Sequence, residues 1–195
     1  MGNADRQAGT AETEQPDRRG GAALRLALAI VAVVLVLDQA SKWAIVEFVM
    51  DPPRAIEVTG FFNLVLIYNT GVSFGLFGEQ TAWKPWVLGA LAIAVSGALL
   101  YWLHREPQRF LALAVGLIVG GAMSNVVDRV RLGAVMDFLD FHLGTWHWPA
   151  FNLADSAITM GVALLVFDGL FRERRRSKNV VNANKDRDGE GGLKR

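Results

Sequence analysis

The chain contains no cysteine. That absence excludes disulfides, a thiolate nucleophile and any cysteine-ligated metal centre. Histidine is scarce as well. His104, His142 and His147 read as lying on different loops, so no metal site and no other cofactor is expected. Charge of one sign is also lacking, since the net charge is only +1; no nucleic-acid partner is expected. Neither end has the pattern of a cleavable signal peptide, because the first apolar run starts late and no small-residue cleavage site follows it.

What is present is apolar. Hydrophobic residues make up 52% of the chain, with 20 glycines and six tryptophans against two tyrosines. Soluble domains of this size are more polar, and glycine with interfacial tryptophan suits a membrane protein. Four apolar runs, at 24–46, 85–103, 110–127 and 154–171, each have about the 17–25 residues of a bilayer-spanning helix. As helices they satisfy their own backbone hydrogen bonds. The polar stretches 1–21 and 172–195 cannot bury enough surface to offset their ordering entropy, so both are expected to be disordered tails. That leaves 22–171 as a membrane domain with two long loops, about 47–84 and 128–153.

Basic residues set the expected orientation. Arg18, Arg19 and Arg25 precede the first run; His104, Arg105 and Arg109 fill the short loop between runs two and three. Arg172, Arg174, Arg175, Arg176 and Lys178 follow the fourth. All three segments fall on one side, which the positive-inside rule makes cytoplasmic, with both termini there. The long loops then face outward. Within them, 61–68 (FFNLVLIY) and 135–141 (VMDFLDF) read as short strands. Trp83, Trp86, Trp146 and Trp148 lie near helix ends, where indole rings favour the headgroup layer. A small β-element resting on the outer membrane face is the expected result.

Ionisable residues inside a membrane are costly and point to function. At the helical rise per residue, Asp38 lies about 20 Å and Lys42 about 25 Å above Arg25. On the same scale Asn125 and Asp128 lie about 22 and 27 Å above Phe110, and Asp155 about 24 Å above Phe171. Three helices thus place polar groups in one layer near the outer surface. Asp38 and Lys42, four residues apart, share a helix face and can pair. Asn125, Asp128 and Arg129 end the third helix. Interhelical bonding alone would also account for such groups.

Asp137 sits in the second outer strand and Asp155 opens the fourth helix, so both can reach that layer. Two adjacent carboxylates share a proton, and the pair can activate water and protonate a carbonyl, as in aspartic proteases. Spacing alone leaves open that Asp155 only caps a helix and Asp137 only ends a strand. Asp140 alternates with Asp137 and is expected to face water. Gly71-Val72-Ser73-Phe74-Gly75 matches the G-x-S-x-G nucleophile pattern, but no α/β sheet is present to support it. A Ser/Lys peptidase using Lys42 with Ser73, Ser124 or Ser156 is one alternative, although Asp38 one turn away should keep Lys42 charged. A transporter is another, although no inverted repeat is visible and the polar layer is off-centre.

Five blocks in order resemble the lipoprotein signal peptidases (signal peptidase II). Asp38-Gln39-Ala40-Ser41-Lys42 is similar to the family's D-x-x-x-K, and Asn69-Thr70-Gly71-Val72-Ser73-Phe74 to its N-T-G-x-[SA]-F loop. Gly120-Gly121 through Asn125 to Asp128-Arg129 resembles G-G-x-x-x-N-x-x-D-R. Gly133-Ala134-Val135-Met136-Asp137-Phe138 and Phe151-Asn152-Leu153-Ala154-Asp155 resemble the two aspartate blocks. The resemblance spans about 24–171. It implies an all-α membrane fold of four transmembrane helices with a periplasmic β-cradle and a short interfacial helix, in the bacterial cytoplasmic (inner) membrane. It implies an aspartic endopeptidase, with Asp137 and Asp155 as the catalytic pair. Asp38, Lys42, Asn69, Gly71, Asn125, Asp128, Arg129 and Asn152 become the supporting and substrate-binding shell. The implied substrate is a prolipoprotein whose lipobox cysteine carries diacylglycerol, cut just before that cysteine, and the implied inhibitor is globomycin. Membrane lipid is the other expected partner, and a monomer the expected state. The loop around Gly71 is turn-prone and is expected to act as a lid.

Overall fold

The structure, a computed structural model, describes residues 15–71 and 83–170. Its elements, in chain order, are α1 (Gln15–Ala44), β1 (Ile56–Thr59), β2 (Phe62–Asn69), α2 (Lys84–Arg105), α3 (Arg109–Leu132), β3 (Val135–Leu143), β4 (Trp146–His147) and α4 (Leu153–Leu170). All four helices are long and apolar enough to cross a membrane. Three of the expected runs begin or end within a few residues of the helices observed. The first matches only at its end: α1 starts at Gln15, inside the stretch expected to be disordered, and Pro16 in its first turn suits a helix start. At its other end α1 runs on into a π-helical turn, Ile45–Val49. No separate short interfacial helix occurs among the described residues. Residues 72–82, with Ser73 and most of the expected lid, and the basic segment 171–195 lie outside them.

The chain divides into two compact units, the second beginning at Val162, and the polar cluster described below lies entirely in the first. Within that unit α3 is the central helix. Its most apolar stretch is 61% buried, against 17% for those of α1 and α2. Outward-facing Val33, Val36, Leu37, Leu91, Ile93 and Val95 leave α1 and α2 apolar on their free sides, as lipid-facing helices are. Close approach to α3 comes from glycine. Side chains at Gly116 and Gly120, one G-x-x-x-G, would collide with Ile30 and Val34 of α1. A side chain at Gly121 would collide with the Ala154 carbonyl of α4. α3 ends at Gly133, which adopts φ 71° and turns the chain into β3. This helix therefore extends past the expected loop start at 128, placing Asp128 and Arg129 within its last turns.

The strands form an antiparallel sheet in the order β1-β2-β3-β4. β1 and β4 are too short to show a pattern in sequence, and neither was expected. Leu64 pairs with Leu139 but Ile67 with Asp137, so β2 carries an extra residue beside Asp137. Such bulges redirect side chains next to functional sites. After β4 the chain returns along β3. Phe151 N donates to the Leu139 carbonyl at 3.0 Å, and Leu139 N to the Phe151 carbonyl at 2.9 Å. That pairing delivers Asn152 and α4 next to Asp137.

Candidate active site

Asp137 lies mid-strand rather than at a strand end, and it is almost fully buried. Two asparagines hold its carboxylate. Asn69 Nδ2 donates to Oδ2 at 3.0 Å and Asn152 Nδ2 to Oδ1 at 2.8 Å. Asn69 is itself fixed by Gly71, whose N–H donates to Asn69 Oδ1 at 2.8 Å. Gly71 has φ 90°, and a side chain there would run into Leu88 of α2. Glycine is thus required at that turn on two counts.

Asp155 is set by the start of α4. Asn152 Oδ1 accepts from Asp155 N at 2.9 Å, and Asp155 Oδ2 accepts from Asn152 N at 3.3 Å. This reciprocal pair is a capping box built from Asn and Asp. Asn125 Nδ2 donates to Asp155 Oδ1 at 2.8 Å. Asn125 Oδ1 accepts from Asn152 Nδ2 at 3.3 Å. One residue, Asn152, therefore grips both acids. Burial pushes the Asp137 carboxyl up from its ordinary 3.8 to about 6, and the nearby charge of Asp155 acts in the same direction. The bonds from Asn69 and Asn152, with the charge of Lys42, work against them.

Behind the acids lies an ionic group. Lys42 Nζ sits 2.6 Å from Asp38 Oδ2 and 2.6 Å from Asp128 Oδ2, with all three side chains buried. The expected Asp38–Lys42 pairing is present, with Asp128 as a third member. Arg129 reaches back to donate from Nη1 to the Asn125 carbonyl at 3.2 Å, and its buried Nε has no hydrogen-bond partner among the described residues. Arg129 lies within electrostatic reach of Asp128, Asp137 and Asp155. Every site residue expected from sequence thus falls in one cluster.

Three expectations need correction or addition. Asp140 does not face water. β2 supplies Asn63, whose Nδ2 donates to Asp140 Oδ2 at 3.0 Å, and β4 supplies His147, with Nδ1 at 3.0 Å from both Asp140 oxygens. Burial alone would raise the Asp140 carboxyl, but these partners hold it below its ordinary range. His142 and His147 are not on different loops. They stack at 4.9 Å across the β3–β4 hairpin, which short β4 concealed in sequence. Even so, no group of three or more His, Asp or Glu side chains that could hold a metal occurs among the described residues. Gln39 was missed: its Nε2 donates to Asp128 Oδ1 at 2.8 Å and to Ser124 Oγ at 3.0 Å. Its place between Asp38 and Lys42 on a membrane helix was the available signal. Ser124, considered above as a nucleophile, instead donates to Asp38 Oδ2 at 2.7 Å.

Four membrane-length helices and a buried, carboxylate-centred polar cluster define a multi-pass membrane protein. The model of the family described as Signal peptidase (SPase) II matches residues 30–171, and the chain belongs to that family of peptidases. It is 46% identical over 149 residues to the lipoprotein signal peptidase of Aeromonas hydrophila, covering 75% of this chain and 89% of that one. It is 49% identical over 149 residues to the lipoprotein signal peptidase of Burkholderia vietnamiensis, with the same coverage. Two solved structures of a bacterial membrane enzyme, obtained in meso at 1.9 and 2.3 Å resolution, are also similar. The first has a TM-score of 0.64 at 31% identity, covering 74% of this chain and 92% of its own. The second has 0.62 at 30%, covering 74% and 87%.

Proposed function

We propose that the chain is an aspartic endopeptidase of the bacterial cytoplasmic membrane that removes signal peptides from diacylglyceryl-modified prolipoproteins. Asp137 and Asp155 are the catalytic pair. The observation that carries this reading is Asn152, which binds one carboxylate by its side chain and caps the helix that bears the other. With one proton shared, the ionised member takes a proton from water, and the resulting hydroxide attacks the carbonyl carbon before the lipidated cysteine. The protonated member gives its proton to the carbonyl oxygen. Collapse of the tetrahedral intermediate breaks the C–N bond as the departing amine is protonated.

The arginine and lysine bias supports an orientation with both termini in the cytoplasm, the cluster near the outer leaflet and the sheet periplasmic. A substrate anchored by two acyl chains presents its scissile bond at that depth, and the free Nε of Arg129 is available to a substrate carbonyl. The dyad and its shell come from one chain, which supports a monomer as the working unit. Ser/Lys chemistry is disfavoured, because Lys42 Nζ is engaged by Asp38 and Asp128, and Ser124 donates to Asp38 Oδ2 rather than to Lys42. The test is cleavage of a synthetic precursor with and without the diacylglyceryl group. The lipidated form should be cut and globomycin should block it. Equal cleavage of both forms would contradict the proposed substrate.

A further inference from the structure

Two backbone N–H groups near the acids are claimed by neither helix nor sheet. Ala154 N, in the first turn of α4 and adjacent to Asp155, is an orphan donor of a helix start. It donates to Asp38 Oδ1 at 2.8 Å, a carboxylate on α1 116 residues away. Met136 N, adjacent to Asp137, donates to Asp128 Oδ2 at 3.2 Å, a carboxylate on α3. Asp38 and Asp128 are the two carboxylates that Lys42 joins, at 2.6 Å each.

From this arrangement we infer that Asp38, Lys42 and Asp128 form a positioning clamp, in which one ammonium fixes two carboxylates and each carboxylate grips the backbone beside one of the two acids. The inference rests on Asp137 and Asp155 being the catalytic pair. No member of the clamp touches the Asp137 or Asp155 carboxylates through a hydrogen bond; Asp38 and Asp128 act through the backbone, and Lys42 acts through those two carboxylates and by its charge. The remaining acceptor positions are also filled. Ser124 Oγ holds Asp38 Oδ2, and Gln39 Nε2 holds Asp128 Oδ1, so neither carboxylate can turn away. Met136 is held from both sides, since its carbonyl accepts from Asn152 Nδ2 at 3.3 Å. The separation of the acids is thereby set by a cation in α1, an element that carries neither acid. Misplacing reacting groups by about 1 Å costs on the order of 100-fold in rate. This is ample reason for burying three charges at such a point.

The clamp requires an acceptor oxygen at each carboxylate position, and that separates it from a merely structural ion pair. The full-length enzyme is purified in detergent, and kcat and KM are measured on a lipidated precursor, normalised to folded protein. Asp128→Ala and Asp38→Ala should each lose about 100-fold in kcat with KM nearly unchanged. Asp128→Asn and Asp38→Asn keep an oxygen for Met136 N and Ala154 N, and should recover a substantial part of the loss. Lys42→Met should lower kcat like the alanine variants, and it should move the pH limb of kcat/KM to higher pH, because Lys42 also opposes protonation of Asp137. If Lys42→Met fails to fold, the Asn–Ala comparison still decides. Equal loss in the Asn and Ala variants, or lowered thermal stability with unchanged kcat, would overturn the clamp. Asp137→Asn and Asp155→Asn are assayed alongside. If these two still turn over, the dyad reading itself has failed; if they are inactive while the clamp variants keep wild-type kcat, only the clamp has failed.

Discussion

Asp137 carries its consequences in its own environment. Its raised carboxyl binds a proton more tightly when folded than when unfolded. The stability it contributes is therefore fully present below its ordinary 3.8 and is lost as pH rises through about 6. Thermal unfolding in detergent across pH 4 to 7 should show this decline, and Asp137→Asn should flatten that component. An unchanged profile in the variant would place the titration elsewhere. On the proposed dyad reading, loss of a proton from Asp137 interrupts hydrolysis, so kcat/KM should fall on the alkaline side of about 6. Asp140 has the opposite sign and a different task. Bonded to Asn63 and His147, it pins the outer hairpin rather than the acids. Asp140→Ala strands the Asn63 amide, and should lower stability by about 1–3 kcal/mol while leaving kcat within a few-fold of wild type. A dead but fully stable variant would contradict that division of labour.

Elements bring these residues together through close helix contacts. Gly121 faces Ala154 and Ile158 at the turn of α4 that carries Asp155. A methyl group there meets the Ala154 carbonyl, a backbone atom that cannot swing aside, so Gly121→Ala should displace α4 and with it Asp155. We expect lower thermal stability and a loss in kcat on the order of 100-fold. Gly89→Ala on α2, where an added Cβ meets nothing, serves as the control and should retain activity. Elements also mark what was legible in the sequence. Four apolar runs located the four helices, though not the start of α1, because bilayer thickness imposes a length that composition reveals. Likewise the spacing of Asp38, Lys42, Asn125 and Asp128 placed them at one depth, since helical rise is constant. The sheet was only half legible. β1 and β4 have four and two residues, too few for alternation to register. Alternation around Asp137 predicted an exposed Asp140, and it could not foresee that β2 and β4 would each supply a partner. The Asn152 capping box has a sequence signature, but its second bond, to Asp137 in another element, is a tertiary contact with none.

At the scale of the whole molecule, a cluster drawn from α1, α3, α4 and the sheet converges on two acids inside a protein that otherwise offers lipid-facing apolar surface. The central claim is that these two acids perform the hydrolysis. The most direct measurement is turnover of a diacylglyceryl-modified precursor by Asp137→Asn and by Asp155→Asn, each first verified as folded by its thermal transition. The account predicts no cleavage by either variant beyond the uncatalysed background. Cleavage by either one at a rate near that of the wild type would contradict it.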